Sequence, residues 1–246
     1  MILPGEGGRG PDGGISLAGA RGYAGAMCGR FTLTDPTAAV AALFRAEPAN
    51  DLPEGPRTNI CPTQPVAAVI SEAGTRRLVA LRWGFVPQWY KAPGDGPLLI
   101  NARAESIAEK PAFRAAARER RCLIPASGFY EWTEGEGGRL PWYIHAAEGG
   151  VLAMAGVWQA WERDGQRLVS CAVVTCAANA RLAGLHHRMP VFVAPEDWAL
   201  WLGEAGHGAA RLMRPAPEEL LGFHRVGREV NSNRASGEGL IAPLSG

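Results

Sequence analysis

The chain has 246 residues, 47% hydrophobic and 20% charged, and a net charge of +1. That balance allows one sizeable buried core and excludes wholesale disorder, and no run approaches the ~18 apolar residues that a membrane span needs. The near-neutral charge gives no global pull toward nucleic acid, and five cysteines, an odd number, argue against a disulfide framework and for a reducing, cytoplasmic setting. Residues 1–26 carry nine glycines, few large apolar groups and no period. They are predicted to be a disordered extension, either a misassigned start or a removed segment, ahead of one folded domain over 27–246. They lack the basic and apolar regions of a secretory signal.

From Met27 onward short strand-like runs dominate. RFTL, PVAAVI (65–70), RRLVALRWGF (76–85), RCLIPA (121–126), LPWYIHA (140–146), LAMAGVWQAW (152–161) and LVSCAVVT (168–175) are rich in β-branched or aromatic residues and end in turn signals. GEGG (135–138) and ERDG (162–165) predict hairpin turns. Helices are predicted over 35–46, where Asp35 can cap and Pro36 suits the first turn, and over 105–119, 177–184, 195–203 and 215–221. The expected fold class is α+β, a single domain with a mostly antiparallel, barrel-like sheet and peripheral helices. Cys61, Cys122, Cys171 and Cys176 read as small core residues, because no second pair lies at metal-ligand spacing. No cofactor or metal is expected.

Polar residues interrupt these runs in five phrases: MCGRF (27–31), RWGFVPQW (82–89), INARAES (100–106), RCLIPASGFYEW (121–132) and LHHRMPV (185–191). If translation starts at Met27 and that methionine is removed, Cys28 carries both a free α-amine and a thiol. Their ordinary pKa values, about 7.7–8.0 and about 8.5, leave both partly deprotonated at neutral pH. Such a 1,2-aminothiol attacks an aldehyde twice, first as an imine and then by closing a thiazolidine ring. The plain alternative is a buried structural cysteine. Glu131, between Tyr130 and Trp132, suits proton transfer if desolvated, or is a strand-edge carboxylate in water. His186 is a general acid or base, or an ordinary hydrogen-bonded histidine, with His187 equally eligible. Asn101 can orient a nucleophile or cap a turn. Arg30, Arg103 and Arg188 lie near these candidates and suit phosphate; Trp83 and Trp89 can stack on unpaired bases, or belong to the core.

Taken in order, MCGRF, NxxPTQ (59–64), WGFVPxW (83–89), NARAE (101–105), RCLIPASGFYEW and HxRMP (186–190) resemble the SOS-response-associated peptidase (SRAP) family of abasic-site processing proteins, from Met27 to roughly Pro243. The resemblance implies a protein that binds single-stranded DNA containing an abasic site and traps the ring-opened sugar through Cys28 as a thiazolidine crosslink. By the family pattern Asn101 positions the terminal cysteine, Glu131 moves protons, and His186 assists ring opening. Arg30, Arg103 and Arg188 hold the DNA backbone, with Trp83 and Thr175 lining the same channel. It further implies DNA-damage and SOS context, peptidase and lyase-type activities, and a monomer associated with the nucleoid when on DNA. His187 stands where the family commonly has aspartate. Two other readings use the same residues: a cysteine peptidase with Cys28 as nucleophile and His186 as base, and a non-covalent single-strand-binding module if residues 1–26 stay attached.

Overall fold

The strand-like runs become long hairpins arranged in two sheets. A computed structural model describes residues 29–49 and 51–244; the expectations for residues 1–26 and for Cys28 lie outside them. The first part of the chain forms β1 (Phe31–Leu33), α1 (Thr37–Phe44), β2 (Glu47–Pro48), β3 (Arg57–Ile60), β4 (Pro65–Glu72), β5 (Thr75–Trp83), β6 (Asn101–Arg103) and α2 (Arg114–Glu119). Then come β7 (Arg121–Ala126), β8 (Gly128–Gly135), β9 (Gly138–Ala146), β10 (Leu152–Arg163), β11 (Gln166–Ala177) and α3 (Ala180–Ala183). Last are β12 (Arg188–Pro190), α4 (Trp198–Leu202) and β13 (Leu221–Arg225).

Five strands close on themselves. β10 pairs antiparallel with β11 and with β7, β7 with β4, and β4 with β5. A short parallel pairing, Ser170 with Arg82 and Cys171 with Trp83, returns β5 to β11. Closure removes the free edges that an open sheet of these apolar strands would expose. The second sheet runs β13-β9-β8-β1-β3, so β1 lies between two partners. One apolar core joins the two sheets, and within it Phe31 of β1 packs edge-on against Trp83 of β5 at 5.0 Å between ring centroids. The molecule is therefore one α+β domain with a closed five-stranded barrel-like sheet and a few short helices.

The predicted turns form where expected. Arg163 pairs with Gln166 across Asp164 and Gly165, both at positive φ (51° and 74°), the geometry whose twist matches a tight hairpin. Gly135 pairs with Gly138 at the tip of the β8–β9 hairpin. Gly128 has a different reason: a Cβ there would stand 2.4 Å from the Tyr143 ring and 2.6 Å from the Ile144 carbonyl, so only glycine lets β8 and β9 approach.

Several helical expectations are corrected. Only 114–119 of the 105–119 stretch is helical; before it, the Ser106 carbonyl accepts from the amides of Glu109 and Lys110, and the Lys110 carbonyl from those of Phe113 and Arg114, in successive turns that lead into α2. The 215–221 stretch gives a single 3-10 turn at 218–220 and then β13, whose pairing with β9 overrides the local pattern. The 177–184 helix contracts to α3, and the 195–203 helix opens as a 3-10 turn before α4. Asp35 does not cap α1, which is preceded by Pro36 without a side-chain cap; its carboxylate instead accepts from Ser127 Oγ at 2.8 Å. The core reading of the cysteines holds: Cys61, Cys122, Cys171 and Cys176 are buried thiols. Burial pushes Cys171 up to about 12 and Cys176 to about 11, so neither is a thiolate near neutral pH.

Candidate functional site

β11 organises half of the candidate residues. Where β10 and β5 leave it, β12 and β6 take their places, so Thr175 lies opposite Pro190 on one side and Arg103 on the other. This puts Asn101, Arg103, Thr175 and Arg188 on three neighbouring strands. Arg188 is held firmly. Its guanidinium meets Glu105 through two parallel bonds of 2.8 and 2.9 Å and donates to the Thr175 carbonyl at 2.6 Å and hydroxyl at 3.1 Å. The bond from Arg188 is the main cause holding the Glu105 carboxyl below its usual range. Arg103 is exposed on β6.

His186 follows α3, its amide donating to the Leu182 carbonyl at 3.0 Å. Its Nδ1 lies 3.1 Å from the Arg188 amide and 3.3 Å from the Arg188 carbonyl. A neutral ring accepts from the amide and a protonated one donates to the carbonyl, so the same backbone serves both states. Partial burial lowers the His186 pKa from its ordinary value, the Arg188 backbone bond opposes this, and the charges of His187 and Arg188 add to the lowering. The His187 ring lies 4.3 Å away, centroid to centroid. His187 therefore contributes a second imidazole beside the first.

The other half of the site belongs to β1, β3 and β8. The Arg30 carbonyl accepts from the Tyr130 amide at 3.0 Å, which seats the start of β1 beside β8 one residue before Glu131. Glu131 is 4% exposed on a central strand, so the reading of a strand-edge carboxylate in water is excluded. Arg30 points into a ring of acceptors: Asn59 Oδ1 and the Val230 carbonyl, each at 2.8 Å, and Asn233 Oδ1. Desolvation is the main cause lowering its pKa from the ordinary arginine value. Trp132 lies beneath two guanidiniums, Arg30 at 5.7 Å and Arg139 at 4.8 Å. A packed path joins the halves: Phe31 on Trp83, and the Trp83 indole N–H donating to the Ile100 carbonyl at 3.0 Å, next to Asn101. The Asn101 side-chain oxygen is buried.

Two expected channel residues are corrected in place. Trp83 is 0% exposed and its N–H is committed to Ile100, so it presents no face to a base. Thr175 is 1% exposed and serves as an acceptor for Arg188, which makes it a support for that guanidinium. The exposed aromatic is Trp89, at 56%. Its loop is pinned on both sides. The Val86 amide donates to Ser170 Oγ at 2.9 Å, Gln159 donates to the Val86 carbonyl, and the Trp161 indole donates to the Tyr90 carbonyl at 2.9 Å.

With this geometry in view, the family model for "SOS response associated peptidase (SRAP)" matches residues 27–233. The chain belongs to the SRAP family. This SRAP chain is 33% identical over 223 residues to "Abasic site processing protein YoqW" of Bacillus subtilis (strain 168), covering 87% of the chain and 99% of that protein. It is 28% identical over 226 residues to "Abasic site processing protein YedK" of Escherichia coli (strain K12), covering 89% and 100%. A crystal structure of a protein from Bacteroides thetaiotaomicron superposes with a TM-score of 0.79 at 21% identity, covering 89% of this chain and all of that one, which establishes a shared fold. The SRAP chain's curated relatives are thus abasic site processing proteins.

Sequence reasoning placed no role on Glu105, Asn59 or Asn233, although NARAE and NxxPTQ contain the first two. The partners of Arg30 lie 29 and 203 residues away in the chain, a distance that no local pattern reports. Asn233 closes the family match.

Proposed function

We propose that this chain binds single-stranded DNA at abasic sites and captures the ring-opened sugar covalently through Cys28. The observation that carries the reading is the join between β1 and β8: the chain entering β1 at Gly29 and Arg30 is hydrogen-bonded to the strand that buries Glu131, next to a packed path leading to Asn101. The names of the curated relatives support a DNA lesion as the substrate, and the family match beginning at residue 27 supports Met27 as the working start.

In this reading the Cys28 amine adds to the sugar aldehyde. The carbinolamine then takes a proton on oxygen, loses water and leaves an imine. The Cys28 sulfur adds to the imine carbon, its proton passes to nitrogen, and a thiazolidine closes. Glu131 supplies and recovers these protons, His186 assists ring opening, and Asn101 orients the terminus. Arg30, Arg103 and Arg188 hold phosphates, with Thr175 steadying Arg188. Trp89 takes the base-stacking role that Trp83 cannot fill. Cleavage of the bond ahead of Cys28 is the form in which the family's peptidase activity enters, since it frees the amine. The protein works as a monomer on cytoplasmic DNA.

The test is a heat-stable gel shift with an abasic oligonucleotide. Protein beginning at Cys28 is expected to form the shifted band. Cys28→Ala, or protein that retains residues 1–26, is expected to bind without forming it. A band from Cys28→Ala, or none from protein beginning at Cys28, overturns the reading.

A further inference from the structure

Away from the site just described, Ile107 and Ala108, α2, α4 and the 206–213 turn line a half-open pocket of about 460 Å³. That volume lies within the ~300–1,000 Å³ of small-molecule sites. Its accessible apolar lining is Ala117, Ala210 and Met213, over the buried Ile107 and Trp201, and its charged lining is Arg118 and Arg121. No acidic side chain lines it.

Arg121 is the half-buried member. Its Nε donates to the Trp201 carbonyl at 2.5 Å, and its Nη1 donates to the carbonyls of Ala117 and Arg118 at 3.0 and 2.6 Å. Those carbonyls belong to the last turns of α4 and α2, so two of the three nitrogens fasten helix ends. Nη2 makes no hydrogen bond among the described residues, and no carboxylate there pairs with Arg121. An arginine stationed in an apolar wall with one donor edge uncommitted fits an anion whose body is apolar.

We infer that this cavity is a binding site for a small amphipathic monocarboxylate, with the carboxylate on Nη2 of Arg121 and the apolar body against Ala117, Ala210 and Met213. A phosphate dianion has no apolar body to lay against Ala117, Ala210 and Met213, so the lining selects an anion that carries one. The carboxylate takes a charge-assisted bond from Nη2, with Arg118 supplying additional positive charge.

Titration calorimetry of the full chain with octanoate, 1-octanol and inorganic phosphate tests this. Octanoate is expected to bind saturably, and 1-octanol to bind about tenfold more weakly or worse, because it lacks the charge-assisted bond. Phosphate is expected not to bind. Ala210→Trp, which fills the cavity from an exposed lining position, is expected to abolish octanoate binding, and Arg121→Gln to weaken it about tenfold. If Arg121→Gln fails to fold, the octanoate-to-octanol comparison on the unmodified protein still decides. Equal affinity for octanoate and octanol, phosphate binding in place of octanoate, octanoate binding unchanged in Ala210→Trp, or no saturable binding at all overturns the inference.

Discussion

At the scale of single residues, His186 shows how the backbone tunes an imidazole. Burial holds its pKa below the ordinary 6.5, so the ring is mainly neutral at pH 7, ready to take a proton. The sign of the stability effect follows. As pH falls through 6.5 the unfolded chain protonates this histidine before the folded one does, so the folded state loses ground until its own lower pKa is reached. His186→Gln is therefore expected to flatten the decline of Tm between pH 7 and pH 5 while leaving Tm at pH 8 nearly unchanged; thermal melts across that range check it. Glu105 and Arg188 offer a second case. The Glu105 side chain is 54% exposed, so Glu105→Gln is expected to change stability by under ~1 kcal/mol. It also releases positive charge at Arg188, so the salt dependence of single-strand binding is expected to steepen by about one phosphate's worth. An unchanged slope means that Arg188 does not reach phosphate.

At the scale of elements, two tryptophans six residues apart divide the labour that the sequence left shared between them. Trp83 ends β5 inside the core, and Trp89 stands on a loop pinned by Ser170, Gln159 and Trp161. Trp83→Phe strands the Ile100 carbonyl and is expected to lower stability by about 1–3 kcal/mol. Trp89→Ala is expected to leave stability within ~0.5 kcal/mol of wild type and to weaken single-strand binding by about 1–3 kcal/mol. Denaturant melts and fluorescence anisotropy on both variants separate the roles. The long hairpins were legible because alternation, β-branching and the Asp164-Gly165 turn are local signals. β6 and β12, three residues each, were not, since such short runs carry little local signal and form only by pairing with β11, for β6 from far along the chain. The same holds for Arg30: its motif marked the residue, while its acceptors Asn59 and Asn233 lie 29 and 203 residues further along the chain. Glu131 stood out between two aromatics, but its burial depends on β8 being a central strand.

At the scale of the molecule, the closed sheet is the frame against which the site is held. The return pairing of β5 with β11 is short, yet it is reinforced by the Gly84 amide on the Cys171 carbonyl at 2.9 Å and by Ser170 Oγ on Val86. Amides of β4, β5, β7, β10 and β11 are expected to exchange with solvent most slowly and together, with β6 and β12 opening at lower free energy; native-state hydrogen exchange reads the difference. If β6 exchanges as slowly as β10, the site strands belong to the same cooperative unit as the barrel.

The interior position of β1 has a practical consequence for anyone handling the protein. Because β1 is flanked by β3 and β8, Arg30 at its start sits beside Tyr130, next to Glu131, and not at a sheet edge. A purification handle on the upstream side joins the strand that carries Arg30, whereas one fused after Gly246 lies two residues beyond Leu244, whose amide is tied to the Arg225 carbonyl at 2.9 Å on the outer strand β13. Reagents for measuring activity are best built from the downstream end.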